Sequence, residues 1–279
     1  MTSTVSHRRL LGRVAIAIGL LVACAVQLVP FYITLTTAAK PRSDLSSQWA
    51  LPTGGIYWEN FRVAVEDGGI LRAIGNSAIV TIIATVLVCL LGALAAYPLA
   101  RRATLGNKLV FAGIIGLIMI PPLSILVPVY SLLVQIGWIN TYHGAIALMV
   151  ASQLPLSIFL YANFMRSLPV SIEEAAVVDG AGLLQTLFRV VFPMLKPVTA
   201  TVIILTSVNV WNEYALSVFI LRDPAVRTTA PAIGTFFASQ GSNPNAAAAA
   251  ALLTVLPVLV AYLILQRYFI KGMVAGYDK

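Results

Sequence analysis

Charged residues are scarce in this chain: Lys, Arg, Asp and Glu make up 10% of its 279 residues, whereas soluble domains carry about 25%. Cysteine and histidine number only two each, and Cys24 and Cys89 both lie in apolar runs, so we predict no disulfide and no metal site. The sequence has no Gly-x4-Gly-Lys-Ser/Thr phosphate loop, so we expect no ATP hydrolysis by this chain itself. It also lacks a Gly-x-Ser-x-Gly elbow in its apolar runs, which disfavours an intramembrane serine protease.

The apolar residues are gathered into long runs. They form 59% of the chain, and the mean hydropathy is +0.91. Several runs reach the roughly 20 residues that a helix needs to cross a bilayer. We predict an all-α integral membrane protein with about six transmembrane helices. Their expected limits are residues 14–36, 72–98, 109–133, 142–164, 198–220 and 247–268.

The first apolar run has two interpretations. Arg8, Arg9 and Arg13 precede it as in a signal peptide, and the residues from Leu21 to Cys24 resemble a lipoprotein cleavage site. The run nevertheless continues through Leu35, which gives about 20 residues, the length of a full span. We therefore expect an uncleaved first helix.

Polar stretches and positive charges set the predicted layout. Residues 1–70 are predicted to form an N-terminal transmembrane helix and an extracytoplasmic loop, and residues 71–279 the transmembrane core. Because Lys and Arg gather on cytoplasmic loops, the side that holds most of them is assigned to the cytoplasm, together with both chain termini. That side carries 12 of the 18, namely Arg8, Arg9, Arg13, Arg101, Arg102, Lys108, Arg166, Arg189, Lys196, Arg267, Lys271 and Lys279. No basic stretch alternates with aromatic residues, so the net charge of +8 predicts no nucleic-acid binding.

Two spans carry packing signals. Small residues recur at every fourth position of the second span, a spacing that lets helix backbones approach closely, and we interpret them as packing within the chain. They are Ser77, Thr81, Thr85, Cys89 and Ala93. The third span contains Pro121, Pro122 and Pro128, which predict a bend. The bent helix could line a pathway or simply belong to the bundle.

One charged segment near the middle of the chain must face water rather than lipid. Ser171 and Glu174 match a Ser-x-x-Glu capping box, and Gly180 or Gly182 can end the helix that follows. A helix of about two turns is too short to be stable alone, so it needs a surface to lie on. A solvated connecting helix and a plug for a cleft in a cytoplasmic partner both fit this pattern. One side of the helix presents Ala175, Ala176 and Asp179.

The same segment resembles the cytoplasmic loop of bacterial ATP-binding-cassette importer permeases. That loop has a Glu-Ala-Ala triplet, a glycine four residues after its last alanine, an aliphatic residue, an aliphatic or aromatic residue, and a proline. The matching residues are Glu174, Ala175, Ala176, Gly180, Val190, Phe192 and Pro193. Residues 211–214, Trp-Asn-Glu-Tyr, look like a signature of the carbohydrate permeases, and residues 266–276 are similar to the tail of the maltose-type second permease.

This resemblance implies the architecture of a type I importer permease, with a cytoplasmic coupling loop at residues 166–197. In that family the loop forms a helix that docks in a groove of the ATPase subunit. Carried over to this chain, the docking residues are Glu174, Ala175, Ala176, Asp179 and Gly180. The implied partners are cytoplasmic ATPase subunits that bind the ATP, a second permease, an extracytoplasmic solute-binding protein and a sugar substrate. The implied location is the cytoplasmic membrane of a prokaryote, and no cofactor is expected in this chain.

Polar side chains in the fifth predicted span suggest a translocation path. Glu213 lies 16 residues beyond Pro197, about 24 Å along a continuous helix, which is the outer part of the membrane. Intramembrane acids face protein or water, aromatic rings stack on sugars, and amides and carboxylates bind hydroxyls. We therefore hypothesise that one face of this helix lines the passage or its gate, while anchoring of Trp211 and Tyr214 at the interface is the alternative. The candidates are Asn209, Trp211, Asn212, Glu213 and Tyr214.

A secondary transporter driven by an ion gradient is the rival interpretation of the whole chain, with Glu213 as its coupling acid. Such transporters are built from internal repeats with matched broken helices in two halves. The sequence has no internal repeat of its six predicted spans, which favours the ATP-driven class.

Overall fold

The computed structural model describes residues 3–239 and 243–274, and side chains from residue 12 to residue 264 except 240–242 and 262. It is 78% helical, and no strand occurs among the described residues. The α-helices are α1 (Ser3–Ala39), α2 (Glu59–Glu66), α3 (Ile70–Arg101), α4 (Leu105–Ile118), α5 (Leu126–Gln135), α6 (Tyr142–Ser167), α7 (Ser171–Val178), α8 (Leu183–Thr186), α9 (Phe192–Met194), α10 (Lys196–Trp211), α11 (Ser217–Ile220), α12 (Thr229–Ser239) and α13 (Pro244–Val274). A 3-10 turn spans Pro122–Ile125, and a π turn spans Leu187–Val191.

Within residues 3–239 and 243–274, four helical segments are long and apolar enough to cross a membrane, by length and composition. They are Gly12–Ala39, Ile70–Arg101, Tyr142–Ser167 and Pro244–Ala261. Two sharply bent helix pairs raise the number to six when each pair counts as one span. The prediction of an all-α chain with about six spans is therefore confirmed.

The third predicted span is bent, as its prolines indicate. The segments Leu105–Ile118 and Pro122–Gln135 meet at 101°. Pro121 has an extended backbone (ψ 133°), and its ring removes the amide hydrogen that a continuous helix needs. The local proline chemistry thus accounts for the break.

The fifth predicted span, residues 198–220, is wrong at its C-terminal end. Helix α10 ends at Trp211, and Asn212 donates its side-chain amide to the carbonyl of Val208, one turn back, at 2.9 Å. The chain then turns and begins the short helix α11 at Ser217. At its N-terminal end, α10 meets the segment Leu183–Met194 at 77°.

The chain forms two compact units, of which the first comprises residues 1–68 and 236–253. Here the C-terminal end of α1 leaves carbonyls without helical partners, and two side-chain amides bind them, one buried and one half-buried. Asn60 donates to the carbonyls of Ala38 and Lys40, at 2.8 and 2.7 Å. Asn245 donates to the carbonyls of Thr37 and Lys40, both at 2.9 Å.

The second unit comprises residues 69–235 and 254–279, and its core lies between α3 and α6. The helices approach closely at Gly92, where an added Cβ would lie 2.3 Å from the hydroxyl oxygen of Ser157. The stripe of small residues predicted from the sequence is buried along α3, which confirms that it packs within the chain. Core residues of α3, α6 and α10 include Val88, Ala93, Ala96, Tyr161, Ala162, Met165, Val198 and Val202.

Candidate functional site

Helix α7 contains or borders all the predicted docking residues. It has two turns, as expected from the sequence, and ends in a Schellman motif at Gly180, whose φ of +84° suits glycine. The amide of Gly180 donates to the carbonyl of Val177 at 3.0 Å, and that of Ala181 to the carbonyl of Ala176 at 2.9 Å. Of the two glycines predicted to end this helix, Gly180 is the one that does so.

The predicted capping box at the start of α7 is wrong. Val170 precedes the helix with helical backbone angles (φ −66°, ψ −28°), and no side chain caps the first turn. Ser171 is therefore the first residue of the helix and not the residue before it. Its backbone lacks the extended N-cap angles that would let its hydroxyl accept from the first-turn amides. The amides of Glu173 and Glu174 instead both donate to the carbonyl of Val170, at 2.9 and 3.1 Å.

The predicted docking residues remain open on the surface of α7. Glu174, Ala175, Asp179 and Gly180 are exposed, and Ala176 is half-buried. Two apolar side chains accompany them: Val177 is 61% exposed and Val178 86%. Large apolar side chains exposed beside acids on a short helix make a surface suited to contact with another protein.

The side of α7 away from Ala175 and Asp179 is anchored by a residue that the sequence reasoning missed. Glu173 is 8% exposed, and its carboxylate accepts from Nε of Arg101 at 2.8 Å and from the hydroxyl of Tyr97 at 2.8 Å. Tyr97 and Arg101 lie four residues apart near the C-terminal end of α3, so they share a face. That spacing was visible in the sequence, but nothing local distinguishes Glu173 from its neighbour Glu174.

The translocation-path candidates do not share one helical face, because α10 ends at Trp211. Asn209, Asn212 and Tyr214 are exposed, while Trp211 and Glu213 are half-buried. Their assignment to the path stays a prediction.

Glu213 has a local structural task. One of its carboxylate oxygens accepts from the amide of Leu216 at 2.8 Å, and the other from the amide and hydroxyl of Ser217, at 2.9 and 2.5 Å. The carboxylate thereby satisfies amides at the start of α11 that have no helical partner. An acid held in this way suits a capping role, which the sequence reasoning did not consider.

Two of the remaining sequence-based expectations concern the chain ends. The tail stretch 266–276 lies beyond the last side chain that the structure describes. The predicted cytoplasmic placement of both termini concerns chain ends that also lie outside the described residues. Among the described residues, no group of three or more His, Cys, Asp or Glu side chains is arranged to hold a metal ion.

A multi-pass helical membrane protein with a short exposed acidic helix is the class that this architecture defines. The chain belongs to the family of inner membrane components of binding-protein-dependent transport systems, whose sequence model matches residues 88–275. It is therefore a multi-pass inner-membrane subunit of a transport system.

Several relatives cover most of this chain. The melibiose/raffinose/stachyose import permease protein MelC of Bacillus subtilis is 43% identical over 265 residues, which is 95% of both chains. The diacetylchitobiose uptake system permease protein NgcG of Streptomyces coelicolor is 35% identical over 247 residues, covering 87% of this chain and 81% of that one. A chain of a bacterial ABC transporter that imports the acidic polysaccharide alginate has the same fold, with a TM-score of 0.77 over 94% of this chain and 97% of that one, at 22% identity.

Proposed function

We propose that this chain is a permease subunit that moves a carbohydrate into the cell. A separate ATPase that binds helix α7 drives the transport. The observation that carries the proposal is the two-sided construction of α7. Four of its five predicted docking residues are exposed, whereas the buried Glu173 binds it to Arg101 of α3. A short helix held in this way can transmit a movement of the bound partner to the transmembrane helices.

The proposed assembly contains partners on both sides of the membrane and within it. Cytoplasmic ATPase subunits bind and hydrolyse the ATP, a second permease completes the path, and an extracytoplasmic solute-binding protein delivers the sugar. The excess of Lys and Arg on the loops beside α7 supports a cytoplasmic position for this helix and for both termini.

An oligosaccharide is the proposed substrate class. Two relatives support it, because MelC is an import permease for melibiose, raffinose and stachyose, and NgcG is an uptake permease for diacetylchitobiose. Identity of 43% across 95% of both chains makes raffinose and melibiose the first sugars to test.

The energy source distinguishes this proposal from an ion-coupled transporter that uses Glu213. In cells that express the chain with its co-purifying partners, we expect uptake of labelled raffinose or melibiose to stop when ATP is depleted. We expect it to continue when a protonophore collapses the proton gradient at constant ATP. Because Glu213 caps α11, we expect Glu213→Gln to lower uptake only through local destabilisation of about 1 kcal/mol, with the dependence on ATP unchanged.

Asp223→Asn is the matched control, since Asp223 is an exposed acid that accepts from the amide of Ala225 at 2.8 Å. Uptake that follows the proton gradient, survives ATP depletion and disappears in Glu213→Gln but not in Asp223→Asn would establish the secondary transporter instead.

A further inference from the structure

Helix α7 packs against α8 and the π turn that follow it, and it buries one side chain. Among its eight residues, Glu173 is the only buried one. A helix of two turns has little stability of its own, so its orientation depends on what anchors it. The anchor of α7 is therefore the carboxylate of Glu173.

This carboxylate is bound at both oxygens by the end of another helix. Nε and Nη2 of Arg101 lie 2.8 and 2.6 Å from one oxygen, and the hydroxyl of Tyr97 donates to the other at 2.8 Å. The side chains of Arg101 and Glu173 are each 11% exposed. Removing one partner from such a sheltered pair leaves the other charge uncompensated, unlike the loss of an exposed surface pair.

Helix α3, which supplies Arg101 and Tyr97, is one continuous helix that contains Pro98 in its last turn. Its 32 residues extend about 48 Å, 14 of them are buried, and α6 is its main neighbour. At its other end, Asn76 donates to the carbonyls of Ala225 and Arg227, at 3.0 and 2.9 Å. Ser77 accepts from the amide of Thr229 at 2.8 Å. Helix α3 therefore joins α7 to the segment 225–229 of the same unit.

We propose that Glu173 is the positioning residue that makes α7 and α3 move as one body, through its contacts with Arg101 and Tyr97. The inference rests on the proposed function, in which an ATPase moves α7. Glu174 and Asp179 face the partner, whereas Glu173 faces the chain, so the two neighbouring glutamates have different tasks. Loss of Glu173 then leaves docking intact but disconnects it from the spans.

The test uses the complete complex, with its co-purifying partners, reconstituted in proteoliposomes. Two quantities are measured: the amount of ATPase retained on the tagged chain, and the amount of sugar transported per ATP hydrolysed. For Glu173→Gln we expect normal retention of the ATPase and a fall of about tenfold or more in sugar transported per ATP, within the usual range of coupling between sites. Arg102→Gln is the matched control, since Arg102 is exposed, and it should leave both quantities unchanged.

A charge exchange separates positioning from general stability. We expect Arg101→Glu and Glu173→Arg each to uncouple transport, and the double variant to recover about fivefold or more over either single change. Normal transport per ATP in Glu173→Gln, or singles that reduce only the yield of folded complex with no recovery in the double variant, would overturn the inference. Glu174→Lys distinguishes failure of the proposed function from failure of this inference. If Glu174→Lys retains both the ATPase and transport, the proposed function fails, independently of the result for the Glu173 variants.

Discussion

Replacing Glu174 by lysine is expected to abolish ATP-driven uptake while the protein still inserts into the membrane. Glu174 is exposed and makes no side-chain contact described in the structure, so the chain itself loses little. A partner groove that receives the acid would now meet a like charge, which costs several kcal/mol and lowers transport about 100-fold or more. Retention of the ATPase on the tagged chain, measured at increasing salt, should fall in parallel.

Two further variants define this effect. Glu174→Gln removes the charge without reversing it, so we expect a milder loss than for lysine. Asp67→Lys reverses another exposed acid, on the side of the chain assigned to the exterior, and should leave ATPase retention unchanged. If Glu174→Lys and Asp67→Lys retained the ATPase equally, the docking role of Glu174 would be wrong.

Substitution of Gly180 is expected to damage coupling through the backbone of α7. Its φ of +84° lies in the left-handed region, which costs a residue with a Cβ roughly 1–2 kcal/mol, and more when the side chain is β-branched. Gly180→Val should therefore disrupt the Schellman motif, fray the last turn that carries Ala176 and Asp179, and reduce uptake about tenfold or more. Asparagine tolerates this conformation, so Gly180→Asn should retain more activity than Gly180→Ala, and Gly180→Ala more than Gly180→Val.

Gly182→Val is the control for this series, because Gly182 has a negative φ of −72° and open space around its Cα. An added Cβ at Gly180 meets nothing within 4 Å either, so any difference between the two positions arises from backbone conformation or from a partner. Equal uptake by Gly180→Val and Gly182→Val would show that the helix end has no role in coupling.

Features that depend on local chemistry could be predicted from the sequence. The apolar runs predicted the number of spans, and the prolines predicted the bend before Pro122. The glycines that follow α7 predicted where this helix ends. Each of these follows from a residue type whose effect on the backbone is nearly independent of its surroundings.

Features that hydropathy and residue spacing do not encode could not be predicted. The end of α10 could not be predicted because the apolar run continues through residues 215–220, and hydropathy carries no signal for a helix break. The capping box failed because Val170 takes helical angles, although Ser171 and Glu174 have the right spacing. Glu173 was missed because its partners lie 72 and 76 residues away, and only the fold brings them together.

The exposed face of α7 can be tested directly by a photo-reactive residue at Val178, the most exposed apolar side chain of this helix. In cells that express the whole transport system, we expect illumination to join this position to a cytoplasmic protein that carries a phosphate-binding loop. The same photo-reactive residue in place of Val86, an exposed position of α3 within the predicted span 72–98, should give no such product. The account would be contradicted if position 178 cross-linked to no ATPase, or if a membrane-impermeant reagent labelled it from outside the cell.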